Sequence, residues 1–151
     1  MADYILSNNT IVSRKAHFFN LDLYLSQQRT ITILKFSLAL IFFWFGLLKI
    51  INHSPVIELL QNSYPIFAKQ PYLGVLGFGE VIIAVGLIIN KLYRFSAVLM
   101  IFHLVGTLSI AFISPGIIFR PFPILTMEGE FILKNIVLIS SGLVLVNSQK
   151  V

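Results

Sequence analysis

The chain has 151 residues, 57% of them hydrophobic and 11% charged, with a mean hydropathy of +0.89 and a formal net charge of +5. Soluble domains run at roughly 45–50% apolar and about 25% charged, so this composition belongs to the membrane class. There is no cysteine, which removes thiolate nucleophiles, disulfide exchange and Cys-ligated metal or iron–sulfur centres. The basic residues sit beside apolar runs, which speaks for orientation in a membrane and against nucleic acid as a partner.

The first 30 residues carry Arg14, Lys15 and Arg29 ahead of a full-length apolar run. They lack the short apolar centre and small-residue cleavage site of a secretory signal. Within them "HFFNLDLYL" (17–25) places Phe18, Leu21 and Leu25 on one helical face, as in an interfacial helix; a partly ordered tail is the plainer alternative. His17 and His53 are too superficial to complete a metal site.

Four apolar runs follow, about 31–51, 73–89, 95–113 and 131–146. Each approaches the length needed to cross a ~30 Å hydrocarbon core as a helix, the fourth being the shortest. Ser54 and Pro55 open a short helix at about 55–62 along the membrane surface. "NKLYR" (90–94) is a tight basic turn, which makes the second and third spans an antiparallel pair. "SPGIIFRPFP" (114–123) ends the third span through its prolines and glycine. The expected fold is all-α: a polytopic four-transmembrane-helix bundle over 31–147 behind a cytoplasmic or interfacial segment 1–30. Tyr64, Tyr72 and Tyr93 fall at the interfaces as anchors. In an even-numbered bundle Arg14, Lys15, Arg29, Lys35, Lys91, Arg94 and Lys150 lie on one side, and Lys49, Lys69, Arg120 and Lys134 on the other. The positive-inside rule then puts both termini in the cytoplasm.

Ionisable groups inside such runs cost a few kcal/mol or more unless paired or hydrated, and each is a functional hypothesis. Lys49, Glu80, His103 and Lys134 are the four here, all at mid-depth or in one half of the membrane. Lys49 either snorkels to the interface or turns inward to Glu80, and whether Lys49 or Lys134 faces Glu80 stays open. Glu80 has no polar neighbour on its own helix and must be protonated or paired across helices. His103 shares a thin polar stripe with Ser96, Thr107 and Ser114, which reads as helix–helix contact or a hydrated cleft; a hydrogen-bonded His is expected there, and no metal. Asn135 opens the last span beside Lys134, and Trp44 inside the first either lines a cavity or packs in the core. Glycines 74, 77, 79 and 86 read as close-packing positions. Glu128 and Glu130, just outside the last helix, suit its dipole and need no catalytic role. No P-loop, dinucleotide fingerprint, HExxH or nucleophile elbow is present, so no catalytic residue is assigned.

"LKFSLALIFFWFGLLKI", "SPVIELLQNSYPIF", "GFGEVIIAVGLII", "TLSIAFISPG" and "EGEFILKNIVLISSGLVLV", in that order over about residues 30–147, resemble the YkgB-like (DUF417) inner-membrane proteins of the broader DoxX-like group. The resemblance implies a four-helix protein of bacterial inner membranes. One branch of that family is linked to resistance to reactive chlorine species, and the wider group to oxidative stress and membrane oxidoreductase complexes. Lys49, Glu80 and Lys134 match the family's intramembrane polar pattern; His103 is not matched. Gly129–Glu130–Phe131 stands where the family often has Gly–Arg–Phe. The expected function is a non-enzymatic membrane component of the stress response. It docks membrane or redox partner proteins or binds a lipophilic molecule such as a quinone, as a monomer or a homo-oligomer in the bilayer. The alternatives are a small transporter or proton-coupled channel using Glu80, and a cofactor-dependent oxidoreductase subunit.

Overall fold

The computed structural model describes residues 2–54, 57–63 and 70–148. Its elements are α1 (Ala2–Ile50), α2 (Ile57–Ser63), α3 (Gln70–Ile88), α4 (Tyr93–Leu108), α5 (Ile110–Ile113), α6 (Pro115–Ile118) and α7 (Met127–Asn147). Four stretches are long and apolar enough to cross a membrane: Ser26–Ile50, Pro71–Ile88, Tyr93–Ile113 and Met127–Asn147. The protein is an all-α, four-helix bundle whose composition and helix lengths suit a multi-pass membrane protein in contact with lipid.

Two boundaries differ from expectation. Residues 17–25, read as a separate interfacial helix or tail, continue unbroken into the first span as part of α1. The last span starts at Met127, so Glu128 and Glu130 stand within its first turn. Thr126 causes this: its hydroxyl accepts from Gly129 N at 3.0 Å while donating to Ile117 O at 2.6 Å. The cap thus ties α7 to α6 and makes this span 21 residues long, leaving the second, at 18, the shortest. Pro55, Tyr64, Lys69 and Lys150 lie outside the described residues.

Each span buries one stripe at helical spacing. On α1 it is Ile31, Lys35, Leu38, Ala39, Phe42 and Lys49; on α3, Leu73, Glu80, Ile83, Ala84 and Leu87. Tyr93, Ala97, Met100 and Leu104 form it on α4, and Ile132, Asn135, Gly142 and Leu145 on α7. The opposite faces carry large apolar side chains such as Phe36, Phe43, Phe78 and Phe102. The helices form a ring: α1 packs along α3, α3 against α4 and α4 along α7, while α7 returns to α1 through the thinnest seam.

The α1–α3 contact is made by glycine. A Cβ on Gly46 would stand 2.6 Å from Gly77 O, and one on Gly77 would stand 2.6 Å from Gly46 O. Only two missing side chains let the backbones come this close. Gly86 likewise admits Ser96 of α4. Gly74 and Gly79, also read as packing positions, face open space: a Cβ added at either would meet nothing within 4 Å.

Gly46→Val and Gly77→Val are therefore expected to destabilise the fold by about 1–3 kcal/mol through overpacking. Gly74→Ala and Gly79→Ala should be neutral or slightly stabilising in a helix interior. Thermal unfolding of the four variants in neutral detergent checks the contrast.

Candidate functional site

The Gly46–Gly77 contact sets the chemistry one turn away. The two helices run antiparallel, so Lys49, three residues after Gly46, sits against Gly77, and Glu80, three after Gly77, sits against Gly46; the long lysine side chain spans the contact to reach the carboxylate. Lys49 Nζ donates to both Glu80 oxygens, at 2.6 and 2.7 Å. From α4, His103 Nε2 approaches Glu80 Oε1 at 2.7 Å. With the carboxylate ionised, this nitrogen is the donor. Lys49 and Glu80 expose only 6% and 4% of their surface, so this is a buried ion pair with a third hydrogen-bonding partner. Lys49 turns inward and does not snorkel.

Phe42 meets the His103 ring edge-on, with centroids 5.9 Å apart. Thr107, one turn along α4, donates to His103 O at 3.1 Å. The polar stripe of the third span is thus divided. Ser96 packs at Gly86, His103 and Thr107 face the interior, and Ser114 caps α5 beyond the span's regular helix.

These groups border a cavity of about 430 Å³ between the four spans, with Leu59 of α2 at its edge. Its walls are Ile41, Phe42 and Phe45 of α1, Leu104 of α4, and Phe131, Val137 and Leu138 of α7. Lys49, Glu80, His103, Thr107, Lys134 and Asn135 supply its polar atoms. The four ionisable residues singled out from the sequence therefore border one space, but only three interact directly. Lys134 is exposed at the cavity's edge, and Lys49 is the residue that pairs with Glu80. Asn135 is 4% exposed, and its Nδ2 has no hydrogen-bond partner. Trp44 belongs to neither of its expected places. It is 56% exposed on the outer face of α1, because the buried stripe of that helix passes through Phe42 and Gly46.

Toward the opposite end the bundle is filled. Leu38, Ala39, Ala84, Leu87, Ala97, Met100 and Leu145 form one continuous core there, so the cavity is blind. That end holds a second polar cluster. Lys35, 4% exposed, donates to Asn90 Oδ1 at 2.6 Å and lies 4.6 Å from the centroid of the Tyr93 ring. Tyr93 OH meets Ser148 Oγ at 3.1 Å, and Arg94 donates to Ser148 O. Tyr93, read as an interfacial anchor, is buried among these protein groups. Lys35 was legible as an interior residue: it precedes Lys49 by four turns on the same face of α1, with Phe42 midway.

Comparison with protein-family models, with curated proteins and with solved structures returns no match. The reading of the site rests on its geometry.

Removing one partner of a buried pair leaves an uncompensated charge, at a cost of about 3–5 kcal/mol. Lys49→Met should reach that range, whereas Lys49→Met combined with Glu80→Leu should recover much of it. A double-mutant cycle by thermal unfolding in detergent measures the coupling.

Proposed function

We propose that this is a multi-pass protein of the bacterial inner membrane that binds a lipophilic molecule in its intramembrane cavity. We further propose that it thereby supports resistance to reactive chlorine and oxidative stress, without itself being an enzyme. The observation that carries the binding reading is the blind space of about 430 Å³ with aliphatic and aromatic walls and polar groups grouped on part of its lining. Small-molecule sites have that design: apolar walls hold the body of a ligand and a few polar atoms orient it. The resemblance to the YkgB-like proteins supplies the stress context.

Two features support the orientation with both termini in the cytoplasm. Arg29, Lys35, Lys91 and Arg94 gather at the end of the bundle bearing the α3–α4 turn. Lys49, Arg120 and Lys134 belong to the other half. By the positive-inside rule this distribution favours the first end as the cytoplasmic one, an orientation that would put the cavity in the outer half.

A proton-coupled channel draws support from the buried Glu80, but it fits less well. Both Glu80 oxygens are engaged by Lys49, one of them also by His103. Among the described residues a packed core lies beneath the cavity, across the route a single-chain channel would need.

The test is hypochlorite survival of a deletion strain complemented with wild type, Ile41→Trp or Val137→Trp, with membrane levels matched. Wild type should protect, and either cavity-filling variant should lose most of that protection. Full protection by both variants would separate the cavity from the function. No protection by wild type would remove the stress role.

A further inference from the structure

The polar groups of the cavity are not equally free. Lys49 and Glu80 satisfy each other, and His103 adds its Nε2 to the same carboxylate. As a unit the Lys49–Glu80 pair is neutral. What remains at the cavity is Lys134, a cation with no carboxylate within ion-pairing distance among the described residues. Beside it is the buried Asn135 amide, whose Nδ2 has no partner. An unpaired buried donor is costly, and an ammonium in a membrane helix with no counter-charge in contact costs more. Lys134 stands seven residues after the start of α7, roughly 10 Å along the helix axis. Both residues project from neighbouring positions of α7 onto one space, and both offer donors. The charge left over there is positive.

The position of the opening adds to this. Lys134 and Val137 border the cavity and are exposed, so it opens on the side of α7, where that helix meets α1 in the thinnest seam of the ring. Phe45 of α1 and Phe131 of α7, with centroids 5.6 Å apart, are the aromatic contact across that seam. In a bilayer this side faces acyl chains, so a ligand reaches the cavity laterally from the lipid. About 430 Å³ is at the small end of ligand pockets, which run about 300–1,000 Å³.

We propose that the cavity, through Lys134 and Asn135, takes a single-chain amphiphile with an anionic carboxylate head, of which a free fatty acid is the simplest member. The ammonium of Lys134 and the amide of Asn135 donate to the head, and the chain lies against Ile41, Phe42, Phe45 and Leu138. The inference rests on the cavity being a lipophilic ligand site and adds the charge and chain number of that ligand. A neutral acceptor such as a quinone would leave the Lys134 ammonium with no counter-charge in contact, since Glu130, one turn earlier on α7, makes no ion pair with it.

The experiment is native mass spectrometry of the full chain in neutral detergent. Palmitate, methyl palmitate, a short-chain ubiquinone and phosphatidylglycerol are added separately and in competition. Palmitate should bind one to one, with the ester at least tenfold weaker, as loss of a charge-assisted hydrogen bond requires. Lys134→Ala should remove the preference for acid over ester, and Lys134→Arg should keep it. Ile41→Trp should abolish binding of both. Equal binding of acid and ester to wild type, or a preference untouched by Lys134→Ala, overturns the proposal. So does phosphatidylglycerol displacing palmitate on equal terms. If ubiquinone binds and palmitate does not, the lipophilic site stands and its anionic ligand falls. If no probe binds wild type, both fall.

Discussion

A carboxylate in the interior of a lipid-embedded bundle has to find its counter-charge on another helix, and Glu80 finds it in Lys49, with a further hydrogen bond from His103 on a third helix. Lys49 reaches it from α1 and His103 from α4, so one side chain on α3 ties three of the four spans together. Buried ion pairs are poor net stabilisers when weighed against apolar packing. Their value lies in register, because a slip along the helix separates the charges and leaves each alone in a low dielectric. The close approach of Gly46 and Gly77 belongs to the same device. It brings the two backbones near enough for both oxygens of a short glutamate to meet an ammonium head without water between them.

That arrangement leaves α7 as the least constrained span on the side of α1. It is joined firmly to α4, where Gly142 admits Met100 and Ile101, and only thinly to α1. The cavity follows from this asymmetry. On one half the ring is filled by an apolar core beside the Lys35–Asn90 and Tyr93–Ser148 contacts. On the other, three helices are drawn toward Glu80 and the fourth stands off, with Lys134 and Asn135 at the gap. A packed interior tolerates few voids larger than a water molecule. A space of this size lined by an unpartnered amide is therefore better understood as a site than as loose packing.

Composition alone was enough to place the chain in the membrane class, and run length enough to count its spans. Both follow from the thickness of the hydrocarbon core and the need to satisfy every backbone group within a helix. The ionisable residues were equally legible, because a charge inside an apolar run stands out whatever the tertiary fold. What the pattern does not encode is facing. In water an apolar stripe marks the buried side of a helix, but in lipid both sides are apolar, so Trp44 and Phe42 look alike in sequence although one faces outward and the other packs on His103. The cue that remains is the small and polar residues, which is why Lys35 belonged with Lys49 on one face.

The sequence by itself thus determined a four-helix membrane chain with Lys49, Glu80, His103 and Lys134 placed at compatible depths. Only the tertiary structure decided which lysine meets the carboxylate, that Gly77 packs while Gly74 and Gly79 do not, and that a cavity opens beside α7. Depth along a helix is fixed by counting residues from its ends. Rotation about the helix axis is fixed by neighbours, and in a bilayer apolar periodicity cannot supply it.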